Sequence, residues 1–485
     1  MTHVVLVVNR LPSLLNTSLG ASKRLRAAGI QTTFVCTENL AEPITAEGEQ
    51  VVVLHHDELF AERVAADPRP PLGNPAAVIA WVRRRRQVRA ESLASVELVE
   101  IITSLAPDLL LINAETHTAM IATETLGIPR LATTNFFSIF RGPDLPPLSM
   151  TMPSPTNPTE RIKVRAAWWW VRGAAIYGRL RHRCSPAGLA TLVSPIRSDT
   201  VDLLDLKQLA KALGVDLGAR TDRSQWLRPQ VYRDVPLLSY TAAEMDLPHR
   251  VAEQLSYVGP MVSTDRVEQE LAAEANSRWQ EMVAQRRAEE DSAPIVYCSL
   301  GTVWSTDHGF LQRVLEVFDR RRDWNLVLTL GSPTPNSDST PASDRQSKLG
   351  TVSPNVLILD WAPQLKILAN ADCFITHGGV KSLTEAVLLG VPVVTYSTGF
   401  VDQNGNARRV QQHRLGLMGN KDGDTPADIE AAVEQAMFDP AIGKGIAEMR
   451  THFQNYEAAP VGRGDGALVD LINRYISRTQ NHDES

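Results

Sequence analysis

Between Trp361 and Gln403 the chain reads WAPQLKILANADCFITHGGVKSLTEAVLLGVPVVTYSTGFVDQ, an order of residue types suited to holding a nucleotide diphosphate-sugar. FIT, at 374–376, is a short apolar strand that runs into His377. Gly378 and Gly379 permit a tight turn and close backbone approach to a ligand. SLTEAVLL then supplies a helix whose first N–H groups lack intrahelical partners, so strand, turn and helix start together make an anion site. His377, Lys381 and Ser382 can donate to phosphate oxygens, and Glu385, one turn further, can accept from ribose hydroxyls. Trp361 offers a flat face to a base, and Asp402 with Gln403 offers acceptors and donors to sugar hydroxyls. An HGG triplet alone occurs by chance; the ordered set is what carries the reading. A second candidate is SLGT, Ser299 to Thr302, a small hydroxyl residue on a Gly turn at a strand end, which also reads as an ordinary strand–helix turn.

The elements that must position these residues form two similar series. HVVLVV at 3–8 leads through a loop into the helical ASKRLRAAG and then QTTFV, a strand–helix–strand opening for a parallel sheet. PIVYCSLGT at 294–302 starts the second series, followed by helical FLQRVLEVFDRR and the strands NLVLTLG, NVLILDW, CFIT and PVVTY. Each half reads as a doubly wound α/β domain. The boundary falls near YVGPM, with a charged, helix-prone stretch from Asp265 to Asp291 after it. Arg141 to Glu160 holds six prolines, and Ser332 to Gly350 is rich in Ser, Pro, Asp and Thr, so both are expected to be irregular surface excursions.

At the Trp361–Gln403 segment the chain resembles the donor-binding signature of UDP-dependent glycosyltransferases, an inverting superfamily of plant, animal and bacterial antibiotic-tailoring enzymes. The NARRV run at 406–410 is similar to that of bacterial relatives, and YVGP to the family's interdomain linker. The resemblance implies the GT-B fold, α/β with two Rossmann-like doubly wound domains facing a cleft. Its expected parts are an acceptor-binding domain at 1–256 and a linker with entry helix at 257–292. A nucleotide-sugar domain at 293–452 and a helix at 453–485 crossing back to the first domain complete it. Trp361 would stack on uracil with Ala362 and Gln364 nearby; His377, Gly379, Ser382, Ser299 and Thr302 would line the diphosphate. Glu385 would hold the ribose, favouring UDP, and Asp402 with Gln403 the sugar, glucose or a close relative. Family members commonly carry Asn where this chain has Lys381, so a cation stands where an amide usually meets phosphate. Protein donors, with no metal or other cofactor, are expected to neutralise the diphosphate. The DxD at 422–424 reads as a loop ending at a Thr425 N-cap with Pro426 at the first helical position.

A hydroxyl acceptor needs a general base, which in the family is a His in the first loop oriented by a later Asp. Here Leu14, within LPSLLNTSLG, stands at the His position and Asn113 at the Asp position, and no His or Asp occurs between Val4 and Val35. Three explanations compete. Glu115 or His117, just past the strand PDLLLIN, takes over as base; the acceptor is an amine or easily ionised group that needs none; or the chain binds a nucleotide-sugar without catalysis. Glu115 and His117 read equally well as a helix N-terminal charge and a surface histidine. Leu14, Asn16, Phe136 and Phe137 are the candidate acceptor contacts, and the two Phe also read as plain core residues.

The expected activity is inverting transfer of a hexose to a hydrophobic small-molecule acceptor, a secondary metabolite. Between Arg161 and Arg183 lie seven Lys or Arg and no acid, around Trp168, Trp169 and Trp170. That segment suits peripheral contact with anionic lipid, and with it a glycolipid-forming transferase, or else a solvated basic helix with inward Trp side chains.

Composition sets the outer limits. At 485 residues, 43% hydrophobic and 21% charged, the chain suits two or three soluble globular domains. Its net charge of -6 speaks against nucleic acid as the main partner. Cys36, Cys184, Cys298 and Cys373 are too scattered for a CxxC site, which points to a reduced, cytoplasmic setting. The apolar run at 4–8 is too short for an export signal, and no stretch reaches the roughly 20 apolar residues of a membrane span.

Overall fold

The computed structural model describes residues 2–8, 12–54, 76–84 without 78 and 82, 96–184, 203–222, 224–225, 231–288, 293–301, 307–331, 349–350, 352–400, 402–458 and 468–483. Thr302 lies outside the described residues, as do 332–348 of the Ser-rich stretch.

Strands such as VVLV and LLLIN have no polar face, and both are buried along their length, as a parallel sheet covered by helices on two sides requires. The first sheet comprises β1 (His3–Val7), β2 (Gln31–Thr37), β3 (Gln50–Leu54), β4 (Leu109–Asn113), β5 (Arg130–Thr134), β6 (Leu237–Ser239) and β7 (Leu255–Tyr257). They lie in the order β3-β2-β1-β4-β5-β6-β7, all parallel. The second sheet comprises β8 (Ile295–Ser299), β9 (Asn325–Thr329), β10 (Val356–Leu359), β11 (Cys373–Thr376), β12 (Val393–Thr395) and β13 (Gly416–Met418). Its order, β10-β9-β8-β11-β12-β13, is again all parallel. Two Rossmann-like domains result, the GT-B arrangement.

Each sheet reverses its strand order beside its first strand, between β1 and β4 and between β8 and β11. An open parallel sheet leaves a crevice at such a reversal, beyond the carboxyl ends of the strands, and ligands bind there. The first crevice follows Val7 and Asn113; the second follows Ser299 and Thr376, which are register partners.

Three segments depart from expectation. LPSLLNTSLG is helical from Pro12, part of the helix Pro12–Ala27, because Leu15, Leu19 and Leu25 supply a buried stripe that starts at once. After YVGPM the helix begins only at Ala273 and runs to Ala288, since the charged side chains before it are committed to ion pairs with other elements. The proline-rich segment is irregular up to the helix Pro158–Cys184 but is no surface excursion. Leu145 is 2% exposed, and the Leu148 and Ser149 carbonyls accept from Gly405 N (2.7 Å) and Asn404 Nδ2 (2.8 Å) of the second domain.

At the other end, Thr425 and Asp428 form a capping box with Pro426 next to the cap, which starts the helix Pro426–Phe438. The helix Pro440–Ala458 returns to the first domain through Tyr456, whose hydroxyl meets Ala243 N (3.3 Å) and Glu244 (3.0 Å). The helix Leu468–Asp483 then packs on Pro12–Ala27 through Leu468, Val469 and Ile472. Among the described residues no helix is long and apolar enough to cross a membrane.

Candidate active site between the two sheets

His377 stands at the carboxyl end of β11, in a slot made by two glycines. A Cβ on Gly379 would come within 2.8 Å of its Nε2, and one on Gly301, at φ +74°, within 2.7 Å of its Cε1. Only glycine leaves room for the ring and also adopts the Gly301 backbone. Burial pushes the imidazole down to about 4, so it is neutral near pH 7 and can offer an N–H but no charge. The ring lies beside the Ser299 backbone, at the start of the helix Val380–Leu389. Ser299, at the end of β8, and Gly379 flank it.

Glu385, expected at the ribose, lies within a buried ion-pair cluster. It is fully buried, and its two oxygens are taken by Arg266 Nη1 and Gln364 Nε2, with Lys381 Nζ 3.7 Å away. Gln364, expected beside a base, spends its amide on this carboxylate and on Ser382 Oγ at 3.4 Å. Ala362 is buried in the core, whereas Trp361 is half-buried. Burial lowers the Lys381 ammonium and Glu385 opposes it; Lys381 therefore serves this buried cluster first. The physical reason is Arg266, a cation from the linker that no local pattern around the motif announces.

The sugar-binding candidates are braced rather than loose. Asn406 Nδ2 donates to Asp402 (2.7 Å) and to the Gly378 carbonyl (2.9 Å), which ties the Gly turn to the acid. Gln403 Oε1 accepts from Thr398 N at 3.0 Å and Thr398 Oγ1 at 2.7 Å. Burial raises Asp402 to about 6.

Across the cleft, Asn113 ends β4 and its Oδ1 accepts from Glu115 N at 3.0 Å, a local bond that fixes the turn carrying Glu115. Burial, then the charge on Asp402, raises Glu115 to about 7. Glu115 and Asp402 therefore stand near enough for the charge of one to act on the other. His117 starts the short helix His117–Ala122 and is half-buried.

On the acceptor side, Leu14 is buried in the first turn of its helix and Asn16 is half-buried. Thr17 Oγ1 donates to Asn135 Oδ1 at 2.9 Å, and a narrow crevice runs from this pair to Lys381 and Thr384 of the second domain. Phe136 is half-buried. Phe137 is not available as an acceptor contact: it is 1% exposed, with the Arg409 guanidinium 4.6 Å over its ring. Arg409 is itself held by Asp246, which cements the domains at that point. A larger cavity of about 560 Å³ opens at the amino ends of β8, β11 and β12, beside Pro294, Asp372 and Pro392, away from His377 at a carboxyl end.

The family model "Erythromycin biosynthesis protein CIII-like, C-terminal domain" matches residues 340–460, the span holding the whole Trp361–Gln403 segment. The chain is 30% identical over 188 residues to the demethyllactenocin mycarosyltransferase of Streptomyces fradiae, covering 39% of this chain and 37% of that one. It is 31% identical over 165 residues to the NDP-glycosyltransferase YjiC of Bacillus licheniformis, covering 34% of this chain and 39% of that one. These matches span well under half the length of either relative. In three dimensions it resembles the glycosyltransferase of kitacinnamycin, with a TM-score of 0.60 and 20% identity over 98% of both chains. Part of the chain is thus similar in sequence to glycosyltransferases, and the whole chain shares the fold of one. Within this GT-B frame, motif matching missed Arg266, Asp246 and Arg409. The signals present were a run of charges directly after the YVGP linker and a second arginine in NARRV.

Proposed function

We propose that this protein transfers a hexose, glucose by the Asp402–Gln403 pair, from a nucleotide diphosphate-sugar to a hydrophobic small-molecule hydroxyl acceptor of secondary-metabolite type. The observation that supports the reading is that Glu115, just beyond β4 of the first sheet, stands within electrostatic reach of Asp402, beyond β12 of the second. Burial holds Glu115 at about 7, the range in which a carboxylate is basic enough to take a proton and still ionised. In the proposed step the acceptor oxygen bonds to the anomeric carbon as its proton passes to Glu115. The anomeric carbon–oxygen bond to the diphosphate breaks, inverting the centre, and the nucleotide diphosphate leaves. His377 and Ser382, with the N-terminal N–H groups of the helix Val380–Leu389, stabilise the departing diphosphate. Asn113 acts as a positioning residue for Glu115, so the pair Glu115–Asn113 replaces the family's His–Asp dyad.

The test is turnover with a UDP-hexose over a panel of alcohols, phenols and amines, read by mass spectrometry. Glu115→Gln should cut transfer to alcohols by about 10²–10⁴-fold and leave UDP binding intact. Transfer to amines alone would assign a base-free, N-linked reaction, and donor binding without any transfer would leave a nucleotide-sugar-binding protein.

One observation favours a second reading, in which the acceptor resides in a membrane. On the basic helix Pro158–Cys184, Ile162 is 64% exposed, Trp170 72% and Tyr177 65%, while Lys163 and Arg165 beside them are exposed cations. Cosedimentation with anionic vesicles that persists unchanged in Trp170→Ala/Tyr177→Ala would remove it.

A further inference from the structure

We propose that Arg266 sets the nucleotide specificity of the donor site by keeping Glu385 from the ribose, so that ribonucleotide and 2′-deoxyribonucleotide donors bind alike. The inference rests on the donor-binding role given above to the segment from Trp361 to Gln403.

A carboxylate discriminates a ribose by accepting from its hydroxyls, which needs an open approach and uncommitted lone pairs. Glu385 lacks the open approach, because it is fully buried, and Arg266 and Gln364 each already donate to one of its oxygens. Arg266 is held from its other side as well. Its Nη2 donates to Glu268 Oε1 at 2.6 Å, and Glu268 accepts from Leu365 N at 3.1 Å, at the start of the helix Gln364–Leu368. Two cations, Arg266 and Lys381, thereby face two carboxylates, Glu385 and Glu268, and the cluster is neutral without a ligand.

The segment that carries Arg266 is anchored to the first domain too. Val267 N donates to Glu47 Oε1 at 2.7 Å, and Lys23 Nζ reaches Asp265 at 3.1 Å and Glu47 at 2.8 Å. Withdrawing Arg266 to free Glu385 would therefore drag the interdomain linker, whereas a ribose offers only neutral donors in exchange for a guanidinium. The 2′-hydroxyl consequently goes unread, and the diphosphate at His377 and the helix N-terminus supplies the common part of the affinity.

The test is calorimetric titration with UDP and 2′-deoxy-UDP, which differ only in the group in question. The wild type should bind both within threefold of each other. Arg266→Ala should bind UDP about tenfold more tightly than 2′-deoxy-UDP, about 1.4 kcal/mol, and Arg266→Ala/Glu385→Ala should return to parity. Arg266→Met, which keeps the stem volume, serves if the alanine variant does not fold. A tenfold preference for UDP already present in the wild type and lost in Glu385→Ala would overturn the proposal, as would parity in a folded Arg266 variant that binds both. Binding of neither nucleotide by the wild type is a different result: it removes the donor-site reading, and this inference with it.

Discussion

Arg409 of the second domain buries its guanidinium against Asp246 of the first, with Nε 2.9 Å from the carboxylate and both side chains 1% exposed. The Asp246 carboxylate also accepts from Ser138 N at 2.9 Å and from the Tyr257 hydroxyl, and Arg409 lies over Phe137. One ion pair thus closes a network that spans the cleft's floor.

Arg409→Ala leaves Asp246 buried without its counter-charge and should cost about 3–5 kcal/mol in urea denaturation. Arg409→Lys should recover little, since an ammonium lacks the planar fork. Burial alone would raise Asp246, yet Arg409 and the Tyr257 hydroxyl outweigh it and hold the carboxyl below its ordinary 3.8. A depressed acid stabilises above the unfolded value, so this contribution is present above pH 3.8 and is lost as pH falls below it. A loss under 1 kcal/mol in Arg409→Ala would show that this ion pair adds little to the joint between the domains.

Glu115, raised to about 7 by burial and by Asp402, must be ionised to act as base. The proposed transfer should therefore rise with pH through about 7, and kcat/KM against pH should show that limb. Asp402→Asn removes the neighbouring charge and should move the inflection to lower pH. An unmoved inflection would assign the limb to another group.

Gly301→Ala asks the left-handed backbone at φ +74° to carry a side chain and drives a Cβ into the His377 ring. Strain should cost about 1–2 kcal/mol of stability. UDP affinity should fall about tenfold or more, about 1.4 kcal/mol, because the ring loses its slot. Unchanged UDP affinity in calorimetry would mean that His377 does not touch the diphosphate.

Trp168 and Trp170 are neighbours in sequence with opposite fates. Trp168 is 6% exposed and donates Nε1–H to the Leu145 carbonyl at 2.8 Å, which anchors the segment leading to Leu148 and Gly405. Trp168→Ala should lose about 3–5 kcal/mol, and Trp170→Ala less than about 0.5 kcal/mol. Thermal melts of the two variants provide the comparison.

Much of the fold was legible before any coordinates. Apolar runs of four to seven residues alternating with helical periodicity announce parallel sheets, and FIT followed by His-Gly-Gly announces the strand, turn and helix that hold His377. The lone Pro12 did not outweigh the loop reading of LPSLLNTSLG, although Leu15 and Leu19 at helical spacing were the available sign. The proline-rich segment misled because its prolines suit loops generally and say nothing of what a loop touches.

The sequence by itself determined the local chemistry: an anion-binding turn at His377, an acid and amide at Asp402 and Gln403, and no histidine or aspartate where a family base would stand. Tertiary structure alone decided which charges meet. Arg266 reaches Glu385 across 119 residues and Arg409 reaches Asp246 across 163, while Glu115 and Asp402 come from different sheets. Periodicity reports which face of an element is buried, but ion pairs form between whichever charged tips the packed domains bring within a few ångströms. A motif glutamate with open oxygens in the sequence is for that reason a paired, buried group in the fold.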